Sequence, residues 1–220
     1  MPEAPKSYLV TLLIMYLVRY LAGCTHQINL LLRGTNMARV PYIQRDNLAE
    51  QHRSIYDQIA KTRGSVSNVF SALLNNPEAT EVVTSVGEYI RYKSNLAPII
   101  RETAILTAAK ELNNGYEWAQ HEPVAREAGV RDEVIDSILS GKGPMGLPAK
   151  EGIFIQSAKE LVKTGTVTSR TYQALDHLLG TPLTIDFVVT VGYYTMLSRL
   201  IHSLDVDFDE GLDLNDQFGR

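Results

Sequence analysis

Five polar side chains stand in an otherwise apolar stretch of the sequence, and their types are those of proton transfer: Arg101, Glu102, Asn114, Glu117 and His121. Asn114, Glu117 and His121 are spaced i, i+3 and i+7, which places them on one face of a helix flanked by Tyr116 and Trp118. Glu102 lies one helix earlier, among Ile99, Ile100 and Leu106. If these two helices pack antiparallel, the carboxylate of Glu102 reaches the imidazole of His121. An acid beside an imidazole in an apolar cleft is a minimal proton relay, because the acid fixes the ring's tautomer and keeps its basicity in the working range. On this reading His121 is the proton donor or shuttle, Glu102 orients it, and Glu117 is a second acid or base. Arg101 suits bidentate pairing with a substrate carboxylate. Asn114, Tyr116 and Trp118 complete the expected binding set.

The same residues have an architectural reading. Glu102 paired with Arg101 can simply hold helices together, and Tyr116 and Trp118 can serve as core or subunit contacts. Glu102, Glu117 and His121 could also supply two carboxylates and an imidazole to a metal ion. Other chemistries find no support, since no GxSxG elbow, no GxxxxGK[ST] loop, no GxGxxG after a strand and no CxxC pair occurs. Gly141-Lys142-Gly143 lacks the spacing and the preceding strand of a phosphate cradle.

The elements that must position the cluster are helical almost throughout. Apolar residues recur at helical spacing from Asp46 on, with Pro77 and Pro98 opening two helices and Asn113-Asn114-Gly115 breaking the second. Pro123 is expected to kink the helix that bears His121. The Gly/Pro-rich loop at 141–148 is the one clear interruption, and the last long helix starts with Thr181 as N-cap and Pro182 behind it. These segments predict an all-α bundle of eight or nine helices.

The 220 residues carry 21 Lys+Arg against 25 Asp+Glu, a net charge of −4. No basic excess exists to displace counterions from a nucleic acid, so none is expected as a partner. Residues 205–220 hold six acids and one arginine and read as a solvated end, with 210–220 as an acidic tail beyond a domain over 37–209. Residues 1–36 form an apolar extension. Its uncharged run Tyr8 to Val18 is too short to span a bilayer, and three readings compete for it. Either Leu21-Ala22-Gly23-Cys24 ends a signal or anchor whose Cys24 is lipidated, or synthesis starts at Met37, or the segment is an ordinary extra helix. Cys24 is the single cysteine, which fits a reducing compartment, and the cytoplasm is the expected location.

Arg101 to Ile138, RETAILTAAKELNNGYEWAQHEPVAREAGVRDEVIDSI, resembles the core of the carboxymuconolactone decarboxylase and alkyl hydroperoxidase D-like family, with a looser likeness from Ala38 to Asp209. The peroxidase branch of that family carries Glu-x11-Cys-x2-Cys-x3-His. This chain reads Glu102-x11-Asn114-x2-Glu117-x3-His121, with the spacing kept and both sulfurs replaced. A peroxidatic cycle needs a thiolate and a resolving thiol, which neither Asn nor Glu supplies. The decarboxylase branch, which lacks the cysteine pair, is the nearer resemblance. It implies decarboxylation of a small carboxylated lactone by His and Glu without cofactor or metal, in trimers or hexamers of helical protomers. The alternatives are a helical oligomer that binds a small molecule or protein without catalysis, and residual peroxidase-type activity.

Overall fold

The computed structural model describes residues 38–141, 144–214 and 218. The expected extension over 1–36, with Cys24 and the start at Met37, lies outside them. Residues Ala38 to Arg220 form one unit, and its described residues contain nine α-helices and no strand. They are α1 (Arg53–Arg63), α2 (Asn68–Leu73), α3 (Pro77–Glu88), α4 (Pro98–Glu111), α5 (Gly115–Glu127), α6 (Asp132–Ser140), α7 (Ala149–Thr164), α8 (Ser169–Leu179) and α9 (Thr181–Leu204). The architecture is the all-α bundle the periodicity predicts.

Local chemistry sets the helix ends. Asn76 accepts a hydrogen bond from the Ala79 amide while Pro77 occupies the first turn of α3, so a side chain satisfies one orphan amide and the ring pre-sets the backbone. After α3 the chain widens into a π turn over Tyr89–Lys93 before the break at Pro98. Pro123 does not end α5, which runs on to Glu127. Thr181, expected as a cap, is instead the first residue of α9, and Gly180 caps it with φ 76°. That left-handed conformation favours glycine and lets the chain turn by 118° between α8 and α9.

Helix α4 is the axis of the bundle. All eight residues from Glu102 to Ala109 are buried, and its apolar members feed three separate core clusters. Ile105 and Ala108 meet Tyr193, Tyr194 and Leu197 of α9; Leu106 and Ala109 meet α5, α6 and α7; Ala104 meets Phe154 and Phe187. The alanines let neighbouring helices approach closely, and a helix surrounded on every side needs no polar face. Among the described residues no single helix is long and apolar enough to cross a membrane.

The acidic end departs from the solvated tail read from the sequence. Beyond α9 the chain packs back on the bundle: Asp207 accepts from the Tyr42 hydroxyl at 3.0 Å, and Asp209 accepts from the Asn68 amide at 2.6 Å and from the Tyr116 hydroxyl at 2.7 Å. Phe218 is buried against Trp118. Charge counting missed this because apolar Val206, Phe208, Leu214 and Phe218 are interleaved with the acids, and the acids themselves find donors.

Candidate active site

Helices α4 and α5 form an antiparallel hairpin closed by a three-residue turn, Leu112 to Asn114. Asn113 takes a left-handed conformation (φ 52°), and Asn114 caps α5 by accepting from the Glu117 amide at 3.1 Å. The Asn114 side-chain amide also donates to Ser198 Oγ at 2.8 Å, which fastens the hairpin to α9. This register sets Glu102 beside His121. Their Oε2 and Nδ1 atoms are 2.8 Å apart, with the side chains 1% and 6% exposed. Glu102 Oε1 accepts from Arg101 Nε at 3.0 Å.

Burial is the largest influence on Glu102 and alone would raise its pKa. The hydrogen bonds and charges of His121 and Arg101 together outweigh it and hold the carboxyl below the usual range. An ionised carboxylate has only acceptors, so Nδ1 of His121 carries the proton between them. Nε2 then faces the other way, 3.6 Å from Glu117 Oε2. Burial pushes the Glu117 carboxyl up against the opposing charges of His121, Arg91 and Arg63, which extends its protonated form to higher pH. The edge of Tyr194 packs on the imidazole at 5.0 Å and 87°, shielding it from water.

Glu117 and His121 open onto a cavity of about 190 Å³. Its walls include Arg63 at the end of α1, Phe70 of α2, Arg91 of the π turn, Tyr116 of α5, Tyr193 and Tyr194 of α9, and Asp209 of the C-terminal segment. A larger hollow of about 340 Å³ lies elsewhere among Ile99, Ile100, Phe154 and Leu179. Its only charged lining groups are Arg131, Lys150 and Glu151, two of which already pair with each other, so the smaller cavity is the better chemical site.

The residues expected from the sequence divide accordingly. His121, Glu117 and Tyr116 line the cavity, and Glu102 stands directly behind His121. Arg101, Asn114 and Trp118 do not line it. Arg101 binds Glu102 and donates to the Arg91 carbonyl at 3.3 Å, so it braces the π turn from inside the protein. Asn114 is consumed by capping. Trp118 follows Glu117 by one residue, a 100° rotation that turns it into the core, where its indole donates to Glu122 at 2.8 Å. Arg63, Arg91, Tyr193 and Asp209 also line the cavity without belonging to the sequence-predicted set, since each comes from an element remote in sequence from Glu117 and His121. Tyr193 and Tyr194 are adjacent in the chain, but helical spacing alone accounts for apolar rings there. Among the described residues no three His, Cys, Asp or Glu side chains are arranged to hold a metal ion.

Residues 77–154 match the model of the carboxymuconolactone decarboxylase family. No curated protein is detectably similar to the chain in sequence. Solved structures are similar in fold. A peroxidase-related protein from Silicibacter sp. TM1040 has a TM-score of 0.66 at 14% identity, over 84% of this chain and 97% of its own. A variant of the debrominase Bmp8 in complex with 2,3,4-tribromopyrrole has a TM-score of 0.64 at 12% identity, over 80% and 95%. A second peroxidase-related protein, an alkylhydroperoxidase AhpD core from Ralstonia eutropha JMP134, has a TM-score of 0.58 at 17% identity, over 84% and 96%. Identities this low speak to the fold alone. The matched segment spans α3 to α6 and enters α7, and so contains the whole Glu102, Glu117 and His121 cluster. Residues 77–154 thus carry the likeness to the carboxymuconolactone decarboxylase family, and the fold around them is the one shared with the peroxidase-related and debrominase structures.

Proposed function

We propose that the protein is a cofactor-free decarboxylase acting on a small carboxylated lactone or a related acid. The observation that carries this reading is the chain of groups from Glu102 through His121 to Glu117, which ends at a cavity wall with no sulfur in it. In the proposed reaction the C–CO₂⁻ bond breaks, CO₂ leaves, and the electron pair passes into the conjugated carbonyl of the substrate as an enolate. A proton from Glu117 or from His121 Nε2 then adds to carbon, and water restores it to the protein. Glu102 stays ionised and stabilises the imidazolium whenever His121 is charged. The positions that hold cysteines in the peroxidase branch hold Asn114, a helix cap, and Glu117, an acid, so the residues support proton chemistry over thiol chemistry.

The test is CO₂ release from 4-carboxymuconolactone in heavy water. The expected result is protein-dependent release with one deuterium on the carbon beside the lactone carbonyl, where the extended enolate takes up its proton. Release without enzyme-dependent labelling, or no release, would remove the reading.

A homo-oligomer forms part of the proposal. Val82, Val86, Tyr89 and Tyr92 are exposed on α3 and its π turn, as are Ile185, Val188, Val189 and Met196 on α9. The hydrogen bond from Tyr89 to Asp186 at 2.8 Å sets the two elements side by side. Apolar surface of this kind marks a contact face. Sedimentation equilibrium is expected to give a trimer or hexamer that Val82→Glu with Ile185→Glu dissociates; a monomeric wild type would contradict it.

A further inference from the structure

The larger hollow takes no part in the relay, and none of its lining residues lines the smaller cavity. Thr103 of α4, Val134 of α6, Phe154 of α7 and Val130 ahead of α6 are buried at its floor, while Ile99 and Leu178 stand 38% and 45% exposed at its rim. The floor offers water nothing to bind. Its one polar side chain is satisfied, because the Thr103 hydroxyl donates to the Ile99 carbonyl at 2.7 Å. Small-molecule sites are concave spaces of about 300–1,000 Å³ with mostly apolar walls and a few placed polar groups. This hollow, at about 340 Å³, has that size and that wall.

Three charged side chains stand at its mouth, and two of them are matched. Arg131 donates to Glu151 from Nε at 3.1 Å and from Nη2 at 2.6 Å, and to Glu133 from Nη1 at 3.3 Å. Lys150 makes no hydrogen bond or ion pair among the described residues. Its ammonium is therefore the unmatched charge of the mouth. The first turns of α4, α6 and α7 meet here too, and their positive ends add to the same sign.

We propose that this hollow binds a small apolar monocarboxylate, with an unbranched hydrocarbon chain on the floor and the carboxylate on Lys150. One unmatched ammonium suits one negative charge, and a satisfied apolar floor suits a chain without polar groups. The volume sets the length: a cavity near 150 Å³ holds benzene, so about 340 Å³ takes roughly twice as many carbons, a chain of about eight to twelve. Such a ligand does not depend on the decarboxylase reading, because it touches neither Glu102 nor Glu117 nor His121.

The experiment titrates butanoate, hexanoate, octanoate and the neutral octan-1-ol into the full chain by calorimetry. One site per chain is expected, with affinity rising up to about fourfold for each added CH₂. Octanoate should bind about fivefold more tightly than octan-1-ol, the upper end for an exposed ion pair. Lys150→Met, at an exposed position, should remove that preference and leave octan-1-ol binding unchanged. Val134→Phe fills the floor and should abolish binding of both; should it fail to fold, Lys150→Met and the chain-length series still decide. Arg91→Met alters the other cavity and should change neither. An affinity that does not rise with chain length, a carboxylate preference that survives Lys150→Met, or octanoate binding lost in Arg91→Met would overturn the site. Binding that emerges only in the Val82→Glu, Ile185→Glu variant would show that a second copy fills the hollow, and would overturn it equally. CO₂ release from the lactone bears on the decarboxylase reading alone.

Discussion

Glu102→Gln is expected to lower the rate of CO₂ release by roughly four orders of magnitude, the scale seen when an imidazole loses its orienting carboxylate. The substitution keeps the volume but gives the buried position an amide that can donate to Nδ1. The ring proton then moves to Nε2, and His121 presents the wrong tautomer to the cavity. Glu102→Ala should cost stability as well, because it leaves the Arg101 guanidinium, only 12% exposed, without its carboxylate partner. Breaking a buried pair on one side costs about 3–5 kcal/mol, which for a domain of this size lowers Tm by roughly 6–20 °C. The pH dependence has a definite sign. Glu102 has a folded pKa below its unfolded value near 4.3, so its contribution is complete above that value and is lost as pH falls through the folded pKa. The difference in Tm between wild type and Glu102→Gln should thus shrink in acid. Wild-type kcat in Glu102→Gln would show that the acid only holds helices together.

Glu117→Gln separates stability from activity in the opposite way. Loss of a general acid costs about 10²–10⁴ in rate, and the variant should release CO₂ at least a hundredfold more slowly. It should nevertheless melt higher than wild type at pH 8. The groups facing Glu117 are His121, Arg91 and Arg63, which lower its pKa, and Asp209, which raises it; burial outweighs the cations and the net direction is upward. The folded protein therefore holds this proton more tightly than the unfolded chain does. Its stability falls as pH rises from the unfolded pKa through the folded one, and above that the penalty of a buried charge is complete. A neutral glutamine never incurs that penalty. Melting curves at pH 4 and pH 8 should show near equality at the lower value and a stabilised variant at the higher. A variant less stable than wild type at pH 8 would mean that the carboxylate is held by the two arginines, and the acid role would be lost.

How far the sequence reveals this site follows from where its parts lie in the chain. Glu102, Glu117 and His121 sit on two consecutive helices whose turn is written as Asn113-Asn114-Gly115, so their meeting follows from helical spacing and a hairpin. Helix periodicity likewise gives the bundle, because every apolar stripe must find a partner. The direction of a neighbouring side chain is another matter. Trp118 and Arg101 differ by one position from Glu117 and Glu102, and only the packing decides that they turn into the core. Arg63, Arg91 and Tyr193 arrive from three helical segments with no shared motif, and their convergence depends on how those segments cross. Residues 205–209 mislead for a physical reason: a run of acids reads as solvated unless the donors that meet it are known, and those donors belong to Tyr42, Asn68 and Tyr116.

The docking of Asp209 separates the scaffold from its chamber. The residue that caps α2, ties down Tyr116 and closes one side of the cavity follows the nine described helices in the chain. A fragment that stops at Leu204 keeps each of those helices and carries the paired acid and imidazole in an unfinished chamber.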